Sequence, residues 1–386
     1  MSTLKVDAIR HNSATSDAIT TAADGTCTAR ITGMTGGSGL SHRNIIVNGG
    51  MKVAQRSASE AITGVGYHTV DRFKTVANSS MSYAVTMSQE NDNPDGNGKS
   101  VKLLTTTAST PTGSENYCLR YTGEEQDISG AGLGTSSCKQ LTISFSVKTN
   151  KTGTHGFQIY IGNNQPNMTV AYTVSSANTW ERKTITFPTY TSSYSHLSDN
   201  AKGFMIDWNL ASGPDDIMAP YNWATGSTAA RGVTGQVNML DTVGNYFQLT
   251  NVQLEIGDTA TSFEHRSYAD ELQRCGRYYQ RLSGSNGTAI ALAFNYNTTL
   301  VDWVAQYPMG PMRANPSFDQ VNGSDYFRYQ GGGQSANFLD GPFVIEQIAP
   351  TQANIYFDPD NNLTAGGVGY IITNNNAAYL AFTSEL

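Results

Sequence analysis

Three places in this chain hold residue types that could do chemistry. Glu124-Glu125-Gln-Asp127 brings carboxylates close together, as the acid and base of glycoside hydrolysis require. Successive residues of a strand point to opposite faces, however, so Glu124 and Glu125 could not flank one bond from an extended segment, and the cluster is expected at a solvated edge or turn. Asp358-Pro-Asp-Asn-Asn362 offers Asp358 and Asp360, but Asp and Asn equally supply turn geometry. Asn91-Asp-Asn-Pro-Asp-Gly96 opens like a calcium loop, yet its twelfth position is Lys102 where a bidentate Glu is needed, so a hairpin turn is expected.

Aromatic side chains are the more suggestive resource. Tyr326-Phe-Arg-Tyr329 would place alternate rings on one side of a strand, beside the Gly331-Gly-Gly333 loop, with Trp303 and Tyr307 in the same region. A ring flanked by Asn, Gln or Asp can stack on a sugar and hydrogen-bond its hydroxyls, so Trp303, Tyr307, Tyr326 and Tyr329 are the candidate glycan-binding set. The competing expectation is that half of these rings are core. No Gly-x-Ser-x-Gly elbow, Walker A loop or Gly-x-Gly-x-x-Gly is present, and His265 is expected in a hydrogen-bonded structural role. The sequence therefore reads as a non-enzyme with no catalytic residue, metal site or cofactor.

These residues need a scaffold, and composition suggests its class. The chain has 386 residues, a formal net charge of −7 and only 24 Lys and Arg, which argues against a phosphate backbone as partner. Its abundance of Ser, Thr, Asn, Gly and Tyr suits strands with polar outer faces joined by tight turns. Cys27, Cys118, Cys138 and Cys275 are scattered without metal or disulfide-scaffold spacing. The N-terminus lacks a secretory pattern and no apolar run approaches ~18 residues, so synthesis in a cytoplasm without membrane insertion is expected.

Alternation supplies the elements. Leu141-Thr-Ile-Ser-Phe-Ser-Val147 puts apolar residues at every second position, and six similar runs from Tyr83 to Ile256 predict an antiparallel sandwich. Ser267-Tyr-Ala-Asp270 resembles a capping box, and Leu272, Cys275, Tyr279 and Leu282 behind it form one stripe of a helix over 267–283. Alternation returns at Ala289–Phe294, Phe343–Ile348, Asn354–Phe357, Gly369–Ile372 and Ala378–Phe382, enough for a small sandwich or barrel. The first forty or so residues, with a turn signal at Asp24-Gly25, read either as a disordered tail or as an arm that orders on a partner.

Three phrases carry a resemblance. Asn44-Ile-Ile-Val-Asn-Gly-Gly-Met51, with Val53-Ala-Gln-Arg56 and Val70-Asp-Arg-Phe73, resembles the opening of the carbohydrate-binding-module-like jelly roll in tail fibre proteins of marine tailed bacteriophages. Ser176-Ala-Asn-Thr-Trp-Glu-Arg-Lys-Thr-Ile-Thr-Phe-Pro188 and Asn251-Val-Gln-Leu-Glu-Ile-Gly-Asp-Thr-Ala-Thr-Ser-Phe-Glu-His-Arg-Ser267 resemble its middle and closing segments. Residues 2–19 are similar to the virion-attachment arms of such fibres, and 308–316 with the closing residues to their variable distal domain.

The resemblance implies a mainly β fibre subunit of the virion tail: an attachment arm (1–43), a jelly roll (44–266), a linking helix (267–283) and a receptor-binding β domain (284–386). It also implies a homotrimer, with Leu272, Cys275, Tyr279 and Leu282 as the trimer-contact stripe, phage tail proteins as partners, and host polysaccharide or lipopolysaccharide as receptor. No aromatic platform of a sugar-binding jelly roll can be matched here residue by residue, so recognition is expected in the distal domain. The alternatives are a tail-associated polysaccharide-degrading enzyme using Glu124, Glu125, Asp358 or Asp360, and a purely structural tail component.

Overall fold

The computed structural model describes residues 42–386 except 79–80, 163–165, 193–198, 225–230, 322–324, 332–333, 340–341 and 358–362, with backbone alone at 221 and 334–339. Of the first 41 residues it describes the backbone of three short strands, Ala8–Ile9, Ile19–Thr21 and Cys27–Ala29, which pair antiparallel. The last two bracket Asp24-Gly25, as the turn signal predicts; the turn itself lies outside the described residues.

The molecule is mainly β, and its larger unit is a jelly-roll sandwich. One sheet has six strands in the order Glu181–Phe187, Leu141–Thr149, Tyr246–Ile256, Ser100–Thr107, Ala84–Glu90, Ser59–Ile62. The facing sheet has seven: Tyr221–Ala224, Asn167–Val174, Gly153–Ile161, Lys202–Ser212, Asn116–Glu124, Phe73–Ala77, Gly66–Tyr67. Alternation supplies the core, because Ile143, Phe145 and Val147 of one sheet meet Phe157, Ile159 and Trp208 of the other. Phe145 and Phe157 stack with centroids 5.8 Å apart, and Trp208, fully buried, stands edge-on to both.

One irregularity positions the site described below. In Tyr246–Ile256 the inward residues are Phe247, Leu249, Val252 and Leu254, so one interval is three residues rather than two. Ladder pairing slips there, with Ser146 opposite Thr250 but Ser144 opposite Gln253, and Asn251 sits at a left-handed φ of 51°. This bulge keeps the apolar residues inward on both sides and turns Asn251 outward with Gln248, Thr250, Gln253 and Glu255.

The opening and closing phrases of the resemblance form the clasp that closes the sandwich. Asn44 donates to the Val252 carbonyl (3.0 Å) and accepts from the Ile46 and Leu254 amides (3.0 and 3.1 Å). Glu264 accepts from the Asn44 amide (2.8 Å), while Arg266 donates to the Ile46 carbonyl (3.0 Å) and lies 3.6 Å from Glu271. Gly49 is required, since a Cβ there would lie 2.0 Å from the Val252 carbonyl oxygen.

The helix is shorter than its sequence stripe predicts. It runs Tyr268–Gly276, with Ser267 Oγ accepting from the Asp270 amide (3.1 Å) as expected of the cap. Tyr279 and Leu282 belong instead to the strand Tyr279–Ser283, paired antiparallel with Tyr379–Thr383. The aromatic run Tyr278-Tyr279 favours a strand, and Gly276 is a poor helix residue pressed against Met309. Cys275 is fully buried against Val47 and Val53 of the same chain, with Leu272 beside it, so these two side chains cover the jelly roll. The four residues therefore do not form one helical stripe that sister helices could share.

The C-terminal unit pairs a small sheet (Tyr279–Ser283, Tyr379–Thr383, Ser317–Gln320) with a seven-stranded one. The order of the larger is Gln334–Leu339, Phe327–Gly331, Val368–Thr373, Ala289–Asn295, Val301–Gln306, Gln352–Phe357, Val344–Glu346. Polar and ring contacts bind this unit to the jelly roll. Arg72, fully buried, ion-pairs with Glu385 and lies 3.4 Å over the Tyr278 ring, and Arg56 lies 3.7 Å over Tyr279.

Candidate functional site

A groove runs along the outer, polar face of the six-stranded sheet. The segment after Ile256 folds back across that face and is pinned there by strand side chains. Glu255 accepts from Thr261 N and Oγ1 (3.0 and 2.5 Å), and Gln253 donates to Thr261 Oγ1 and accepts from the Glu264 amide (3.1 and 2.7 Å). Phe263 and His265 are thereby stood on the sheet, edge to face with centroids 5.0 Å apart. On the other side stands the hairpin loop between Ala84–Glu90 and Ser100–Thr107, the Asn91–Gly96 turn expected from sequence.

Between these walls lie two adjoining hollows of about 450 and 270 Å³, sharing Asp95, Asn251, Phe263 and His265. The larger reaches Trp180 and Arg182 at the start of Glu181–Phe187; the smaller reaches Lys52 and Asn93. Trp180 is half-buried, and its Nε1 donates to Asp92 Oδ1 (3.0 Å). Asp92 is itself held by Lys148 Nζ (2.8 Å) and Gln248 Nε2 (3.2 Å). Partial burial acts to raise the Asp92 pKa, but hydrogen bonds from Lys148, Trp180 and Gln248 outweigh it and hold the carboxyl below the usual range. A carboxylate acceptor, held in its charged form by these partners, thus fixes the indole at the edge of the groove.

The floor is polar. Asn251, delivered by the bulge, donates to Asp95 Oδ2 (2.8 Å), and exposed His265 lies 4.0 Å from the same oxygen. Arg182 donates to Ser144 Oγ (3.1 Å) and to the Thr261 carbonyl, leaving a guanidinium edge beside Ser146. Rings at the edge and middle with amide, carboxylate and guanidinium groups between them suit a ligand with apolar faces and hydroxyl edges. His265 was expected in a hydrogen-bonded structural role; it stands instead at the groove wall, more than half exposed.

The residues singled out in the sequence lie elsewhere. Trp303, Tyr307 and Tyr329 are 4%, 5% and 0% exposed and form the C-terminal core, where Trp303 meets Phe343 edge-on and Tyr307 Oη donates to the Ala349 carbonyl. Tyr326 is half-buried against that core. None of the first three rings has a face open to a sugar. Alternation had correctly placed rings on one side of each strand, but it was the side that meets the core. The outward positions of the same sheet hold Leu292, Phe294, Val304, Val368 and Tyr370, all at least 42% exposed.

The acids fare differently. Glu124 is fully buried at the junction of the two units, clamped by Arg277 Nε (2.7 Å), Arg277 Nη2 (2.8 Å) and Tyr278 Oη (2.6 Å). Glu125, 5% exposed, opens the short helix Glu125–Ile128 rather than facing a cleft as half of a carboxylate pair. The expected solvated edge or turn is thus a buried junction, because Arg277 and Tyr278 come from a segment 153 and 154 residues further along the chain. Asp358 and Asp360 lie outside the described residues.

No protein-family model and no curated protein matches the sequence. Among solved structures, a family 11 carbohydrate-binding module of a cellulosomal cellulase of Clostridium thermocellum is 15% identical, covering 55% of this chain and all of that one, with a TM-score of 0.28. A family 61 module solved with β-1,4-galactotriose is 12% identical, covering 55% and 99%, with a TM-score of 0.26. A tandem of family 22 modules from Paenibacillus barcinonensis is 10% identical, covering 86% and 100%, with a TM-score of 0.24.

Proposed function

We propose that this chain is a bacteriophage tail-fibre protein that binds host-surface glycan without cleaving it, and that the groove bounded by Trp180, Phe263 and His265 is its saccharide site. The observation that carries the glycan reading is the indole of Trp180, fixed by a charged Asp92 at the edge of a polar, bulge-built floor. The segments resembling marine phage fibres support the virion role, with residues 1–43 attaching to the tail and synthesis in the host cytoplasm. A binding role is favoured over hydrolysis because Glu124 is consumed by Arg277 and Tyr278.

In this reading the protein acts as a homotrimer. The exposed apolar row Leu292, Phe294, Val304, Val368 and Tyr370 supports association of copies through the C-terminal sheet. Weak single-site contacts then become firm adsorption, since linked sites see a high effective ligand concentration. The test is a screen of the full chain on immobilised host polysaccharide and neutral oligosaccharides, with Trp180→Ala beside the wild type. A drop in affinity of about tenfold or more supports the site, as expected for loss of a ring-to-sugar contact. Unchanged binding by the variant refutes it.

A further inference from the structure

A separate hollow, of about 500 Å³, lies where the two units meet, lined by Arg56, Glu60 and His68 of the jelly roll and by Arg281, Asp319 and Tyr379 of the C-terminal unit. That volume is within the ~300–1,000 Å³ typical of small-molecule sites, which favour such junctions. Its two guanidinium groups are preset: Arg56 lies 3.7 Å over the Tyr279 ring, and Arg281 lies 4.3 Å over Tyr379. Arg281 Nη1 is also fixed on the carbonyls of Gln55 (3.1 Å) and Arg56. Arg56 is ion-paired behind this wall with Asp71 (3.9 Å) and Glu385 (3.4 Å), whereas Arg281 Nε and His68 Nε2 are buried without a hydrogen-bond partner. The acceptors opposite are Glu60, 45% exposed and 3.1 Å from His68, and Asp319, 3.3 Å from Tyr379 Oη.

We infer that this junction cleft is a second saccharide site, for a neutral, hydroxyl-rich sugar. The lining carries two guanidinium groups and two carboxylates, and Arg56 is already paired with Asp71 and Glu385, so no surplus of cations favours an anionic ligand. Stacked guanidinium groups donating and carboxylates accepting are what adjacent sugar hydroxyls need, because each hydroxyl both donates and accepts. The inference rests on the reading of the chain as a glycan binder and extends it, giving each chain two sites. The cleft exists only while the units are docked, since neither contributes a complete wall.

The experiment is calorimetric titration of the full-length protein with neutral hexose tetrasaccharides and with a uronic-acid tetrasaccharide as charged control. The variants are Trp180→Ala, Glu60→Gln with Asp319→Asn, and Arg281→Lys, the last keeping the charge while losing the fork geometry. Thermal melts verify that each variant is folded. The expected result is two neutral-sugar sites per chain in the wild type, one in Trp180→Ala, and a cleft site weakened about tenfold or more in the other variants. Loss of all binding in Trp180→Ala with no change in the cleft variants overturns the cleft and leaves the groove standing. Loss confined to the cleft variants does the reverse. Cleft binding of the uronate alone overturns the neutral class, and binding of no saccharide overturns both sites.

Discussion

Replacing Glu124 by Ala tests whether the two units are held by a buried carboxylate or whether that residue was kept for chemistry. Four donors converge on it: Arg277 Nε and Nη2 at 2.7 and 2.8 Å, Tyr278 Oη at 2.6 Å, and Gln126 Nε2 at 2.7 Å. Breaking a fully buried pair costs about 3–5 kcal/mol, but Arg277 is 36% exposed and can turn to water, which reduces its share to about 1 kcal/mol or less. Tyr278 has no such escape at 2% exposure, and its stranded hydroxyl adds about 1–3 kcal/mol. The expected destabilisation is therefore about 2–4 kcal/mol for Glu124→Ala, read from the urea midpoint at constant m-value. Burial acts to raise the Glu124 pKa, yet hydrogen bonds from Arg277 and Tyr278 leave it lowered, so its stabilisation is complete above the ordinary value of 4.5 and is lost as pH falls through the folded one. Wild type and variant should accordingly converge in acid. A change within about 0.5 kcal/mol at pH 7, the range of a neutral surface substitution, would refute the reasoning.

Three further outcomes follow from other parts of the fold. Gly49→Ala forces a Cβ to within 2.0 Å of the Val252 carbonyl oxygen, and should cost about 2 kcal/mol or more or abolish soluble expression; wild-type melting would contradict the close approach. Burial lowers the His155 pKa to about 4 from 6.5, so the folded state resists a proton the unfolded chain accepts, and stability should fall as pH drops from about 6.5 to 4. Burial raises the Asp71 pKa from 3.8 to about 6, which works the opposite way within that window. His155→Phe should keep the stack on Tyr172 while removing the acid-destabilising part, measurable as a change in the slope of Tm against pH. If copies associate through this sheet as proposed, Leu292→Asp with Tyr370→Asp should leave the melting of the chain nearly unchanged, since both side chains are more than half exposed, but should reduce its solution mass by light scattering; an unchanged mass would remove that sheet face from the contact.

Much of the scaffold was legible because strand periodicity is local. Leu141–Val147 announced a strand with one buried face, and Tyr246–Ile256 was read as a strand too, but the bulge in it that presents Asn251 appeared only in the ladder pairing. The hairpin at Asn91–Gly96 followed from the missing twelfth-position acid, and the Ser267 cap from its spacing to Asp270. The helix end was not legible, since Tyr279 and Leu282 fit a helical stripe as well as a strand; backbone pairing with Tyr379–Thr383, a hundred residues on, settled it.

By itself, then, the sequence determined a mainly β chain and which residues of a strand share a face, both of which depend on neighbours a few residues apart. Which face meets the core was decided only by the tertiary structure, because periodicity is indifferent to sides: Trp303, Tyr307 and Tyr329 went inward, while Leu292, Phe294 and Tyr370 stayed out. The groove is likewise a product of the fold. Trp180, Asp92, Asn251 and His265 are scattered across more than 170 positions, and they face one another only after the segment following Ile256 is tied back across its own sheet by Gln253 and Glu255.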